Sequence, residues 1–165
     1  MSAARLTAAA AAFAVCAVFG AVRSARQNVL LESMDDLIAD VRYAASIIEL
    51  EHLPIGEMAK RLAFSGKCRT LWKETAESMS RGSTFEKAFE SASKPPMCPE
   101  AAKVTEKLAS FLGSGDVKTE VTRLLSAAER LSEIRAIKET ELAQKAKLVR
   151  VLSVMLGTAF ALLII

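Results

Sequence analysis

The stretch Leu30-Leu31-Glu32-Ser33-Met34-Asp35-Asp36-Leu37-Ile38-Ala39-Asp40-Val41-Arg42-Tyr43-Ala44-Ala45-Ser46-Ile47-Ile48 decides the fold. Leu30, Leu31, Met34, Leu37, Ile38, Val41, Ala44, Ala45 and Ile48 recur at helical spacing and line one side of a helix. Asp35, Asp36, Asp40, Arg42 and the later Glu49 fall mostly off that line, and the three aspartates read as a solvated helix face. A helix that is dry on one side must bury that side against other elements. The chain is therefore read outward from here as an all-α bundle.

Downstream, Pro54 ends the first helix and suits the first turn of the next, where its missing N–H goes unneeded. That second helix carries Ile55, Met58, Ala59 and Leu62. A third is expected from about Cys68 to Met79 with Leu71, Trp72, Thr75 and Met79 in line. Gly82 stops it, and Ser83 with Glu86 reads as a capping box opening a short helix through Phe85, Ala88 and Phe89. Pro99 can begin a fifth, with Ala102, Val104, Leu108 and Phe111 as its stripe. Gly113-Ser114-Gly115 breaks it. From Asp116, a helix-capping residue type, a long sixth helix carries Val117, Val121, Leu124, Leu125, Ala128 and Leu131.

The two ends differ from this middle. Leu6 to Val22 and Val151 to Ile165 contain no charged side chain, seventeen and fifteen residues respectively. At about 1.5 Å per residue both fall short of a hydrocarbon core of about 30 Å. The second reaches further if Lys147 and Arg150 snorkel. Arg23, Arg26, Lys145, Lys147 and Arg150 flank the segments on the inner side and Arg5 alone lies outside, which places the middle in the cytosol. The expected organisation is a transmembrane segment and flank over 1–28, a cytosolic bundle over 29–131, a polar helical stalk over 132–150 and a second transmembrane segment over 151–165. A signal peptide is the alternative for the first segment.

Twenty-two Lys and Arg against nineteen Asp and Glu give a net charge of +3, and the cations are interleaved with acids. Nothing forms the basic stripe of a nucleic-acid protein. Three scattered cysteines read as reduced thiols, although spacing alone leaves a Cys68–Cys98 bridge open. His52, the single histidine, reads as a helix-end surface residue with no second ligand for a metal. Gly66-Lys67 resembles half of a phosphate loop, but Arg61 stands where the first glycine belongs and Cys68-Arg69 follow the lysine. No acyl-transfer constellation, cofactor site or small-molecule site emerges, and the chain reads as a protein that is not an enzyme.

Leu112-Gly113-Ser114-Gly115-Asp116, followed by Glu120 and Leu124, resembles a Leu-Gly-x-x-Asp-x-x-x-Gln signature, with Glu120 in place of the usual glutamine. Tyr43, then Leu53-Pro54-Ile55-Gly56-Glu57 with Arg61 and Ala63, resembles a Pro-Leu-x-Glu-Ala segment. Gly82 with Phe85 and Ala88 matches a glycine turn and short helix. Together these resemble the stage III sporulation protein AB family and, more distantly, the F-domain platform proteins of type II secretion and type IV pili. The resemblance implies a helical bundle similar to a type II secretion F domain, flanked by N- and C-terminal transmembrane helices, in the mother-cell membrane around the forespore. The partners it implies are membrane lipid, the other stage III sporulation A proteins, especially the AA ATPase, and protein Q across the gap. Tyr43, Pro54, Glu57, Gly82, Leu112, Gly113, Asp116 and Glu120 are then the candidate partner-facing or motif residues. A platform subunit of another secretion or pilus machine, and an exported helical domain held by a C-terminal anchor, are the alternatives.

Overall fold

The structure is a computed structural model that describes residues 28–113 and 115–164. Every regular element among them is helical. Helix α1 covers 28–51, followed by α2 (Ile55–Ser65), α3 (Arg69–Ser80), α4 (Phe85–Ser91), α5 (Pro99–Phe111) and α6 (Val117–Ile164). Leu30–Ile137 make one compact unit, and residues 28–29 and 138–164 fall in a separate one.

Within the compact unit α2 packs on α3, α3 on α4 and α4 on α5. The core draws on α1 through Met34, Leu37, Val41 and Ile48, and on α2 and α3 through Met58, Leu62 and Leu71. Phe85 and Phe89 come from α4, Leu124 and Leu131 from α6. Each fully buried aliphatic side chain of this kind contributes about 1.5–3 kcal/mol. Trp72, Phe89 and Phe85 form an aromatic run with ring centroids 5.9 and 5.7 Å apart. Thr75 and Thr105 are buried without penalty, because their hydroxyls donate to Leu71 O and Ala102 O one turn back.

The helix ends follow from local chemistry. α1 stops where His52 takes φ +51° and donates its N–H to Ile48 O, so the lone histidine terminates a helix at the surface. Pro54 stands one residue earlier than expected, as N-cap of α2, with its carbonyl accepting the N–H groups of Glu57 and Met58. After α3, Gly82 at φ +93° donates to Met79 O and Ser83 donates to Ser78 O. These two bonds make a Schellman motif, whose left-handed residue glycine adopts without a Cβ clash.

Four expectations need correction. The Ser83–Glu86 capping box does not form: α4 starts at Phe85 with Thr84 as N-cap and no side-chain cap bond. Phe111, placed on the inner stripe of α5, is 44% exposed, because Ala101, Thr105 and Ala109 carry the buried face. Val117 and Leu125 of α6 are likewise exposed. Asp40 is not solvated at all but 2% exposed. Its spacing explains this, since it follows Leu37 by three and precedes Ala44 by four, on the dry side of α1.

The N-terminal apolar segment, Leu6 to Val22, lies outside the described residues. Among the described residues no helix is long and apolar enough to cross a membrane. Cys68 and Cys98 are both free thiols, half-buried and buried respectively.

Candidate functional site

Three of the sequence motifs come together through α2. Leu112 is buried and follows α5, donating its N–H to Leu108 O. Gly113 then takes φ +95°. Its N–H is accepted by the Glu120 carboxylate at 2.9 Å, so a side chain from the first turn of α6 reaches back and closes the α5–α6 turn. A Cβ built on Gly113 would stand 3.2 Å from Cδ1 of Ile55, placing the Pro54–Glu57 segment directly against this turn. One residue on, a Cβ on Gly56 would lie 3.8 Å from Met79, whose carbonyl anchors the Gly82 motif. Turns that begin near residues 54, 82 and 113 therefore share one neighbourhood.

The α5–α6 turn is held from both sides. Arg123 donates through Nη1 to Phe111 O at 2.9 Å and stands 5.3 Å over the Phe111 ring, which keeps that exposed aromatic in place. Asp116 precedes α6, and its carbonyl accepts the Glu120 N–H. Hydrogen bonds from the Thr119 hydroxyl, and then from backbone N–H groups, hold its carboxyl below the usual range. This is what an N-cap carboxylate does for otherwise unpaired amides. Glu57 has a looser role: it is exposed and pairs with Lys60 at 2.8 Å. It cannot complete a capping box, because the N-cap is a proline without an N–H.

Tyr43 lies elsewhere, on the seam between α1 and α2. Ser65 and then Arg61 hydrogen-bond its hydroxyl and lower its pKa, and Arg61 also reaches Glu51 at 3.4 Å.

A further polar cluster, around Asp40, was not singled out by the motifs. Oδ1 of Asp40 accepts the Lys67 N–H at 2.7 Å, while Oδ2 accepts the Cys68 N–H and the Trp72 indole N–H, both at 2.8 Å. Gly66 is buried beside it, and a Cβ there would come within 2.5 Å of Leu62 O and about 3 Å of both Asp40 oxygens. The Gly66-Lys67-Cys68 turn is thus a cradle for an anion at a helix start, filled by the protein's own carboxylate. Lys67 itself pairs with Asp36 at 3.1 Å. Burial, then the charges of Asp40 and Asp36, push the Cys68 thiol up to about 12, so it stays a thiol at neutral pH. The signal that would have found this cluster is the position of Asp40 on the inner side of α1.

Among the described residues no group of three or more His, Cys, Asp or Glu side chains is placed to hold a metal ion. The fold and site define a small all-α bundle whose glycine turns and caps converge around the start of α2. The chain belongs to the stage III sporulation protein AB family, whose model matches residues 5–165. It is accordingly a protein of stage III of sporulation. No curated protein and no solved structure matches it.

Proposed function

We propose that the chain is a non-enzymatic platform subunit of the stage III sporulation A assembly. Its bundle lies on the cytosolic side of the mother-cell membrane around the forespore, where it passes motion from the AA ATPase to membrane-embedded neighbours. Membership of the family over residues 5–165 carries the reading. Two further features support it: an uncharged run at each end of the chain, and five cations flanking those runs on the inner side. The turn around Gly113 supplies a rigid, locally satisfied surface of the kind a partner can grip without reordering it.

The test is co-purification of the full chain with the ATPase from sporulating cells. Retention of the ATPase supports the reading, and its absence under conditions that keep the chain folded refutes it. Asp116→Asn sharpens the result, since asparagine caps a helix as aspartate does. Loss of the ATPase with unchanged stability would assign the carboxylate to the partner, whereas normal retention leaves it a cap. Topology should be probed at a cysteine introduced for Lys87, which is exposed. The two described thiols report poorly, because Cys98 is buried and the Cys68 thiol is pushed up to about 12. Ready reaction of Lys87→Cys with an impermeant maleimide in intact cells would overturn the cytosolic placement.

A further inference from the structure

Two lysines of α5 face solvent with their charge uncommitted. Lys103 and Lys107 stand one turn apart and Phe111 follows a turn later, so the three form an exposed ridge with neighbours about 5–6 Å apart. Among the described residues neither lysine makes an ion pair. The acids that could serve them are spent or distant. Glu106 pairs with Lys94 at 3.7 Å, and Glu120 is buried on the Gly113 N–H. Asp116 accepts from Thr119 at the start of α6, where Lys118 also helps to hold its carboxyl down. Glu100 stands in the first turn of α5, at the other end of the ridge from Phe111. On α6, Arg130 and Glu129 are exposed neighbours that offset each other.

Phe111 gives the ridge an ordered apolar end. Arg123 stands 5.3 Å from its ring and bonds its carbonyl oxygen, yet 44% of the residue stays in contact with water. An aromatic ring held under a guanidinium, with cations at its rim, is a residue set that anchors protein interfaces.

Spacing and charge together say what would cover the ridge. A bilayer or a nucleic acid presents continuous negative charge, which Glu100, Glu106 and Glu129 around the ridge would oppose. A helix lying along α5 can instead place carboxylates one turn apart against Lys103 and Lys107, set an apolar side chain against Phe111, and keep acids away elsewhere. We infer that the α5 ridge of Lys103, Lys107 and Phe111, with Arg123 behind the ring, is a docking surface for an acidic amphipathic helix of a partner protein. The inference rests on the reading of the chain as a subunit of an assembly, and adds where and how one partner helix is held.

The experiment uses the full chain in nanodiscs of neutral lipid and a fluorescent Leu/Glu amphipathic helical peptide as probe. A Leu/Lys peptide of the same pattern, anionic phosphatidylglycerol vesicles, a DNA duplex and bare nanodiscs serve as controls. The expected result is saturable binding of the Leu/Glu peptide alone, weakened at least about tenfold by the double change Lys103→Glu with Lys107→Glu and by Phe111→Gln. Lys87→Gln removes an exposed cation on α4 and should leave it unchanged. Both lysines are exposed and make no ion pair, so their reversal leaves the helical circular dichroism intact, which is checked in parallel. Absence of binding overturns the inference, as does equal binding of the Leu/Lys peptide or binding indifferent to the double lysine change. Binding of the vesicles or the duplex that the lysine change abolishes overturns it too, since the ridge would then read continuous negative charge. None of these outcomes bears on co-purification with the ATPase, so the two readings fail separately.

Discussion

Asp40 and Glu120 are both buried carboxylates that accept backbone N–H groups at a helix junction, yet they do so over different spans. Glu120 reaches back seven residues to one amide, that of Gly113. Asp40 reaches across twenty-seven, twenty-eight and thirty-two residues to two amides and an indole. The short clasp closes a turn that already has a glycine break and a capping acid. The long one ties α1 to the start of α3, and no local feature replaces it if it is lost. A bond's span in sequence thus separates a device that trims a loop from one that fixes how helices pair.

That difference sets the sizes of the effects expected on breaking each. Asp40→Ala would strand one buried and two part-buried donors and should cost about 3 kcal/mol in urea unfolding. Asp40→Asn keeps one acceptor oxygen and should lose less. A loss from Asp40→Ala no larger than that from Glu120→Ala would break the comparison.

Gly66→Ala tests the same cradle from the backbone side. Its Cβ would meet Leu62 O at 2.5 Å. The turn must open or Asp40 must move, at an expected cost of about 1–3 kcal/mol. Unchanged stability would show the cradle to be loose.

Gly113 and Gly82 form a matched pair at φ +95° and +93°. Gly82→Ala meets nothing within 4 Å and should show backbone strain alone, about 1–2 kcal/mol. Gly113→Val adds a clash with Ile55 and should exceed it. Equal losses, measured by thermal unfolding, would mean that the α2 segment yields freely.

Glu120→Gln should be the mildest change at a buried position, below about 1 kcal/mol, because the amide oxygen can still accept the Gly113 N–H.

The smallest effect concerns pH. The folded-state pKa of Asp116 lies below its ordinary value, so its stabilising contribution is present above that ordinary value and is lost as pH falls through the folded one. Asp116→Asn should flatten the acid limb of the stability profile slightly and leave neutral stability unchanged. A profile identical to wild type would remove the capping role.

The helical stripes of α1, α3 and α4 were legible in the sequence, since Leu37, Trp72 and Phe89 follow simple periodicity. Glycine stops at 82 and 113 were legible too, because positive φ leaves few other choices. Phe111 and Val117 misled, because helical spacing cannot show where a stripe runs past the end of the core. The Asp40 cluster stayed hidden for another reason: its donors come from a different helix, and a charged residue within an apolar stripe reads as surface unless its partners are known. That the segments near residues 54, 82 and 113 meet through Ile55 and Gly56 is a tertiary fact, which no spacing in the sequence carries.

The Asp40 cluster also makes the protein convenient to watch. Trp72 is the single tryptophan of the chain, 3% exposed, with its indole N–H on a carboxylate. Its emission, excited selectively over tyrosine, reports the junction of α1 with α3 and no other place. Any ligand, partner or variant that loosens that junction should announce itself as a red shift, without a label and without an engineered probe.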